Sequence, residues 1–435
     1  MLKGFFNAFK TPDLRKKLLF TIGIIVIFRL GSFIPTPGVN YSAVKECTAG
    51  DVNDGLMGMI NLFSGGALLQ LSVFALGIMP YITASIIIQL LRVVIPRFEA
   101  LNKEGQSGQA KLTQYTRYVT VGLAILQSTT IITTAISGQL FGGKTGACES
   151  VITHKDNIMT LVIMIIAMTA GTSLIMWFGE LITENGVGNG MSILIFSSIC
   201  ANFLPNLWSI GQTNIMKFVM VVAIVILIIT IVTFVENSQR RIPVQYARRQ
   251  VGSQTLGGQS TYLPIKINMS GVIPIIFASS ILAVPGLIAQ FGDPNSEVVQ
   301  WIQTHVSQQQ SPVHMTLYAL LIIFFCFFYT SITFNVVEVA ENMRNQGGFV
   351  PGIRAGKPTS NYLRYILHRL NTVGSIYLAL IALIPTIVFL VAGLSQSLPF
   401  GGTTILIIVG VGLDTVKQIN SQLQQHHYDG FLGQR

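Results

Sequence analysis

The apolar residues of this chain are grouped in blocks that are each long enough to cross a lipid bilayer. A helix of about 20 residues spans the roughly 30 Å of hydrocarbon in a membrane. Six blocks approach this length: 18–34, 73–95, 158–178, 216–235, 317–337 and 373–392. Four weaker blocks lie near 118–136, 191–208, 273–288 and 403–420. Only 10% of the residues are charged, against about 25% in a soluble domain. We therefore predict an all-α polytopic membrane protein with ten transmembrane helices.

The first block follows a basic segment, as the apolar core of a signal peptide would. Residues 1–17 are basic, but the sequence IPTPG at 34–38 offers no small residues spaced for signal cleavage. We expect a first membrane span here rather than a removable signal.

Basic residues sort to one side of the ten predicted spans. With the amino terminus inside, 22 of the 27 Lys and Arg residues fall in inner segments and four in outer segments. Because cytoplasmic loops are rich in Lys and Arg, both termini are predicted to be cytoplasmic. Two inner loops are long, 236–270 and 338–370, and each carries five basic residues. Long loops commonly carry function, although fixing the orientation is the alternative role.

The four cysteines are scattered singly. Cys200 and Cys326 fall inside predicted spans, where we expect them to be packing residues. Cys47 and Cys148 fall in predicted outer loops, where disulfides are permitted. The two could form a bridge or remain unpaired external thiols.

The second and seventh predicted spans contain an internal repeat. GIMPYITAS at 77–85 and GVIPIIFAS at 271–279 share Gly, Pro, Ile, Ala and Ser at a constant offset of 194. These are the second spans of two five-helix halves, and an odd number of spans inverts the second half. Inverted repeats with helices interrupted by Gly and Pro mark the transport pathway of such proteins. Two ordinary kinked spans are the alternative.

A short glycine-broken segment, 61–70, precedes the first copy of the repeat and cannot span the membrane. It would either enter the membrane as a re-entrant half-helix or lie flat at its surface. Arg29 is the one clear charge inside a span, and we expect it near a helix end or against a partner. Val225, in the sixth span, is expected to face lipid.

The polar residues argue against catalysis and ion coupling. No span has a central carboxylate of the kind that a proton or sodium site requires. The chain shows no catalytic constellation, metal motif, nucleotide site or cofactor site. A secondary transporter with inverted repeats is therefore the weaker alternative to a channel, and an intramembrane enzyme is weaker still.

At eight motifs, in order along nearly the whole chain, the sequence resembles the SecY family of protein-conducting channels. They are FRLGSFIPTPG (28–38), NLFSGGALLQ (61–70), FALGIMPYITASIIIQLL (74–91), KEGQSGQAKLTQYTRY (103–118), NGVGNGMSILIF (185–196), QRRIPVQYARRQ (239–250), NMSGVIPIIFASS (268–280) and FVPGIRAGKPT (349–359).

The resemblance implies an architecture of two inverted five-helix halves around an hourglass pore. The halves would be residues 1–210 and 211–420, followed by a cytoplasmic tail at 421–435. A plug helix near 61–71 would include Asn61, Phe63, Ser64, Gly65, Gly66 and Leu68. A pore ring would comprise Ile78, Ile82, Met191, Ile195, Ile276 and Ile407. A lateral gate between helices 2–3 and 7–8 would be lined by Thr83, Gln89, Gln127, Ser279 and Ser280. Met191 stands where the family usually has isoleucine, and a flexible apolar side chain still fits a seal.

The resemblance also implies a function and partners. The channel would move unfolded secretory polypeptides across the bacterial plasma membrane and release transmembrane segments sideways into lipid. It would not be an enzyme. Its partners would be the SecE and SecG subunits, the SecA motor ATPase, the ribosome, signal peptides with their nascent polypeptides, and membrane lipid. The long inner loops would dock the cytosolic partners through Arg240, Arg241, Arg248, Arg249, Arg354 and Lys357.

Overall fold

The computed structural model describes residues 11–48, 64–136, 151–153, 157–213, 215–246, 249–251, 254–256, 260–291, 296–308, 311–391 and 402–432. The N-terminal half contains α1 (Pro12–Gly31), α2 (Tyr41–Thr48), α3 (Met79–Val94), α4 (Pro96–Lys103), α5 (Gln106–Ile136), α6 (Ile158–Asn185) and α7 (Gly190–Thr213). The C-terminal half contains α8 (Ile215–Asn237), α9 (Ile273–Phe291), α10 (Glu297–Trp301), α11 (Pro312–Thr333), α12 (Val336–Asn345), α13 (Lys357–Val391) and α14 (Gly402–Leu432). The strands are β1 (Gln239–Tyr246), β2 (Arg249–Val251), β3 (Gln254–Leu256), β4 (Ser260–Lys266) and β5 (Gly348–Phe349).

Each of the ten apolar blocks overlaps a helix. Among the described residues, five helices are long and apolar enough to cross a membrane, or six if the bent pair α3 and α4 counts as one span. Two further apolar helices are shorter, Gly190–Phe203 and Ile273–Gly286. The prediction of a mostly helical membrane protein is therefore confirmed, while ten spans in two halves around an hourglass pore stay a prediction.

The second predicted span is helical over only part of its length. Residues 64–78 form turns, and α3 begins at Met79 with Pro80 in its first turn. A proline there removes no helical hydrogen bond, because the first N–H groups of a helix have no partner within it. The alternative of an ordinary kinked span is therefore wrong at this site, because Pro80 lies in the first turn of the helix and not in its interior.

The two copies of the repeat have the same local structure. Helix α9 begins at Ile273, which is 194 residues after Met79, so both helices start at the same point of the repeat. Gly77 and Gly271 precede them with φ of 56° and 62°. Glycine is the residue that adopts this left-handed conformation without steric cost. Each copy thus consists of a glycine turn followed by a helix that has the proline in its first turn.

The two long inner loops fold against each other. Strand β1 pairs antiparallel with β4 and also with β5, which belongs to the other loop. Ile242 and Val244 alternate with exposed residues on β1 and pack with Leu363 and Leu367 of α13. The expected loop 338–370 also includes most of α12 and the start of α13. The loops therefore form one small body, which the predicted topology places in the cytoplasm.

Burial in the apolar interior bears on the predictions for Val225 and for Cys47. Val225 is 7% exposed and lies in the core of the C-terminal half, so it does not face lipid; its neighbour Ile226 is 59% exposed. Cys47 is buried in α2 and is disulfide-bonded. Cys148, its predicted partner, lies outside the described residues.

Replacing Gly271 by alanine tests whether the turn before α9 depends on its left-handed backbone. A Cβ at Gly271 meets open space, so the substitution adds backbone strain without a clash. We expect Gly271→Ala to lower the free energy of unfolding in detergent by about 1–2 kcal/mol.

Gly122 provides the matched control, because it lies within α5 and a Cβ there also meets open space. Gly122→Ala should leave stability unchanged or raise it slightly, since alanine favours a helix. Equal destabilisation by both variants would contradict the role assigned to the turn.

Candidate pore and gate

The six residues predicted to form the ring lie in one apolar cluster. Helix α3 and the turn before it supply Ile82 and Ile78, α7 supplies Met191 and Ile195, α9 supplies Ile276, and α14 supplies Ile407. Ile407 is 1% exposed and Ile78 is 2% exposed, whereas Ile82 and Met191 are partly exposed. Elements from both halves of the chain therefore meet at this cluster. If such residues line a constriction, they exclude ions because water does not wet an apolar surface.

Helix geometry explains how two elements each present a pair of side chains to the cluster. Ile78 and Ile82 are four residues apart, as are Met191 and Ile195, so the members of each pair share one face. Gly179 of α6 lies against Met191, and a Cβ at Gly179 would overlap the Met191 sulfur. The small residue on α6 thus allows the long Met191 side chain to fit beside the cluster.

The predicted plug segment is described from Ser64 onward; Asn61 and Phe63 lie outside the described residues. Residues 64–71 form turns, so the prediction of a short helix is wrong for this stretch. Ser64 and Leu68 are buried, and Ser64 Oγ accepts a hydrogen bond from the Leu68 amide at 3.1 Å. Gly65 and Gly66 have φ of 71° and 90°, which accounts for the absence of helix.

The expectation for Arg29 is confirmed in both of its forms. Arg29 lies in the last turn of α1 and its Nη1 donates a hydrogen bond to the Gly65 carbonyl at 2.9 Å. This contact between α1 and the segment 64–71 joins residues 36 positions apart. The sequence marked Arg29 as unusual but gave no means of identifying its partner.

The two helices of the repeat are in contact. Ile86 of α3 lies in the same buried cluster as Ile275, Ala278 and Leu282 of α9. The seam between α3 and α9 therefore contains apolar residues of both helices. Dispersion and hydrophobic contacts of this kind have no fixed direction, so a seam built from them can separate without breaking a polar network.

Three of the five polar residues predicted to line the gate form hydrogen bonds within their own helices. Thr83 Oγ1 donates to the Met79 carbonyl at 3.0 Å, and Ser279 Oγ donates to the Ile276 carbonyl at 2.9 Å. Gln89 Nε2 donates to Ser85 Oγ at 3.4 Å. Gln127 is half-buried on α5. Ser280 Oγ is buried and has no hydrogen-bond partner among the described residues.

A polar chain at the start of α9 is absent from the sequence predictions. Asn268 Nδ2 donates to Glu236 Oε1 at 2.6 Å and to the Gly271 carbonyl at 3.1 Å. Ser270 Oγ donates to Asn268 Oδ1 at 3.1 Å. The glycine turn before α9 is therefore attached to the end of α8.

The series of polar contacts continues from Ser270 to side chains of α11 and α13. Ser270 Oγ lies 3.2 Å from Cys326 Sγ, which donates to Asn371 Oδ1 at 3.2 Å. Thr330 Oγ1 donates to the same Asn371 oxygen at 2.9 Å. The sequence predicts that Cys326 is a packing residue, but its sulfur also takes part in this series of polar contacts. All four side chains are buried, where an unpaired polar group is costly.

A second missed contact joins α5 to α6. Arg117 Nε and Nη2 each donate to one oxygen of Glu180 at 2.8 Å. A two-point arginine–carboxylate pair fixes geometry as well as contributing energy. From the sequence alone, Arg117 contributes only to the positive charge of a predicted inner segment.

The residues predicted to dock partners are exposed wherever their side chains are described. Arg240 and Arg241 lie on β1, opposite Ile265 and Pro264 of β4. Arg354 and Lys357 are exposed on the second loop and at the first residue of α13. Arg248 lies outside the described residues, and Arg249 is described only as the first residue of β2.

Comparison with known proteins places this architecture in a family. A profile of the SecY family matches residues 72–416. A protein translocase subunit SecY from Streptomyces scabiei is 58% identical over 438 residues, covering 99% of this chain and 100% of the relative. The protein of the same name from Micrococcus luteus is 52% identical over 440 residues, with the same coverage.

Solved structures agree with the fold at lower identity. A protein-conducting channel matches with a TM-score of 0.62 and 16% identity, covering 93% of this chain and 91% of that one. A SecY protein studied for its plug domain matches with a TM-score of 0.63 and 18% identity, with the same coverage. At these identities the likeness establishes the fold alone.

Asn371→Leu tests the polar chain at the start of α9. Leucine removes the acceptor shared by Cys326 and Thr330, so we expect the free energy of unfolding in detergent to fall by about 1–3 kcal/mol. The neighbouring Thr372 is exposed and its hydroxyl donates only to the His368 carbonyl of its own helix. Thr372→Val should therefore change stability by no more than about 0.5 kcal/mol. Similar losses of stability in the two variants would show that the polar hydrogen-bonded chain does not contribute to stability.

Proposed function

The chain belongs to the SecY family, and we propose on that premise that it forms the protein-conducting channel of a bacterial protein-export translocase. The observation that carries the proposal is identity of 52–58% to translocase subunits, from end to end of both chains. The channel moves unfolded polypeptides across the plasma membrane and releases apolar segments sideways into lipid. Both termini face the cytoplasm, as the distribution of basic residues predicts.

In the proposed mechanism, the apolar cluster that contains the six ring residues is the barrier of the closed channel. Its side chains yield around a passing polypeptide, and isoleucine and methionine have no polar groups that would hold water there. The segment 64–71 is the plug. A structural neighbour whose plug domain is reported to keep a membrane seal supports this assignment.

Sideways release follows from the character of the seam between α3 and α9. Ile86 and the apolar residues of α9 can exchange their mutual contacts for contacts with lipid at little cost in free energy, because lipid tails are as apolar as these side chains. A transmembrane segment in the pore can therefore separate α3 from α9 and enter the bilayer. The glycine turns before both helices provide the points about which the helices move.

The cytosolic partners supply the driving energy. We assign docking of the SecA motor and the ribosome to the two inner loops, and SecE and SecG to the assembly in the membrane. Support comes from the exposed arginines of these loops and from a structural neighbour in a canine ribosome–channel complex, with a TM-score of 0.60. Ribosomal RNA is polyanionic, so clustered arginine favours its approach.

Reversing charge on the loops tests the docking surface. We expect the double variant Arg241→Glu, Arg354→Glu to lower motor-driven or ribosome-coupled export by roughly tenfold or more, because like charges across an interface cost several kcal/mol. Export is measured as protease-protected substrate in vesicles that contain the complete complex.

The control is Arg97→Glu, which reverses an exposed charge on α4, outside the two loops. It should leave export close to that of the unchanged protein. Unchanged export by the double variant, at normal levels of folded complex, would refute the docking assignment.

Asparagine in the cluster tests the barrier. Ile82→Asn and Ile276→Asn place an amide where the closed channel excludes water. We expect ion leakage and easier opening by weak signal sequences, because the amide allows water to wet the constriction. Single-channel recording in planar bilayers measures the leak.

Ile226→Asn is the control, since Ile226 is 59% exposed on α8. It places the same amide toward lipid and should give no conductance. If the two cluster variants fold well and the bilayers stay electrically tight, the six residues are helix-packing residues and not a barrier.

A further inference from the structure

The direction of the Arg29 side chain is unusual for a cation near the end of a membrane span. Long basic side chains at such positions commonly extend toward the interface and water. Arg29 is instead half-buried, and its Nη1 donates to the carbonyl of Gly65 at 2.9 Å. The charged end of the side chain is therefore directed at the backbone of the segment 64–71.

The backbone of Gly65 fits closely between Arg29 and α7. A Cβ at Gly65 would lie 2.5 Å from Arg29 Nη1 and 3.3 Å from the Cα of Ser198. The positive φ of 71° also requires glycine there. Because of both conditions, the bare backbone can approach the guanidinium, and any side chain would hold the two apart.

The segment depends on partners outside itself for its backbone groups. It is a turn without regular internal pairing, and a buried carbonyl needs a hydrogen-bond donor. The carbonyl of Leu71, at the other end of the segment, accepts from Thr36 Oγ1 at 2.8 Å and from the Thr36 amide at 3.0 Å. Arg29 and Thr36 thus attach the two ends of the segment to α1 and to the loop that follows it.

The guanidinium also lies over the ring of Phe33. Its Cζ lies 5.6 Å from the centre of the Phe33 ring, which stabilises a cation through the ring face. A hydrogen bond with a charged donor is about twice as strong as a neutral one. Release of the segment must therefore break a strong bond and leave a half-buried charge without its acceptor.

We infer that Arg29 is a positioning residue that holds the segment 64–71 in the closed channel through the Gly65 carbonyl. The inference rests on the proposed function, in which this segment is the plug. An arriving polypeptide must displace the segment from Arg29, so the bond sets part of the threshold for opening. Loss of the bond lowers that threshold and leaves the helices folded.

The test uses Arg29→Met in the complete complex, because methionine keeps much of the length of the side chain without a donor. Hydrogen exchange by mass spectrometry measures the amides of 64–71, and single-channel recording measures opening. We expect exchange in this segment to rise roughly tenfold or more, exchange in α6 and α11 to stay the same, and spontaneous openings to become more frequent. Leu30→Met is the control: it places the same residue one position later, where the side chain is 64% exposed.

A second pair of variants approaches the bond from the other side. Gly65→Ala displaces the guanidinium, whereas Gly66→Ala adds similar backbone strain at φ of 90° with only the Asn202 side chain nearby, at 3.3 Å. Gly65→Ala should therefore loosen the segment more than Gly66→Ala. Equal effects of the two would overturn the inference, because strain alone would then explain them.

Three results of the Arg29→Met experiment have distinct meanings. Unchanged exchange in 64–71 overturns the anchor. Exchange that rises across all helices also overturns it, because the fold rather than one segment has then been lost. Faster exchange confined to 64–71 in bilayers that remain tight supports the anchor and refutes the role of the segment as the plug.

Discussion

Inside a bilayer no water is present to pair with backbone N–H and C=O groups, and the structure depends on how that demand is met. The long helices meet it within themselves. The two places where the repeat begins cannot, because residues 64–78 and 267–272 are not helical. In the first, Arg29 and Thr36 donate to turn carbonyls. In the second, Asn268 donates to the Gly271 carbonyl and to Glu236. Each irregular segment is thus held by side chains, and side-chain bonds can be exchanged where helical ones cannot.

The two kinds of contact made by α9 differ in how easily they can be broken. The start of α9 is attached by directional polar bonds to α8, α11 and α13, whereas its seam with α3 contains apolar residues of both helices. Breaking the polar chain would leave buried groups unpaired, at about 1–3 kcal/mol each. Opening the seam only replaces apolar neighbours by lipid tails. Helix α9 can therefore separate from α3 more easily than its start can separate from α8, α11 and α13. This property suits the proposed gate, which must open and close repeatedly.

The sequence predicted the elements of this arrangement better than their ends or their contacts. All ten apolar blocks overlap helices, because burial in lipid requires both apolar residues and a helix. Helices α5 and α13 start 12 and 16 residues before the predicted blocks 118–136 and 373–392, since a helix can continue into water where hydropathy no longer marks it. The alternation around Ile242 that forms β1 was hidden among charged residues, and Val225 was assigned to lipid because α8 is apolar on every side. The sequence shows that Arg29 is a charge inside a span, that Cys326 lies in a span and that Arg117 is basic. It does not identify their hydrogen-bond partners, which are 36 to 63 residues away and are brought close only by the fold.

The same contacts connect the loops proposed to dock partners with the proposed gate. Strand β1 carries Arg241 on one side and, through Ile242 and Val244, packs with Leu367 of α13 on the other. One turn further along α13, Asn371 bonds to Cys326, whose sulfur lies against Ser270, the residue before Gly271. The path from the exposed arginines to the glycine turn of α9 therefore consists of a strand, a helix and buried polar bonds, with no flexible linker. Packed elements of this kind transmit displacement, because a close-packed core has little free volume in which to absorb it. A partner that moves β1 thus acts at the fixed end of α9. The seam with α3 is the place where α9 can move in response.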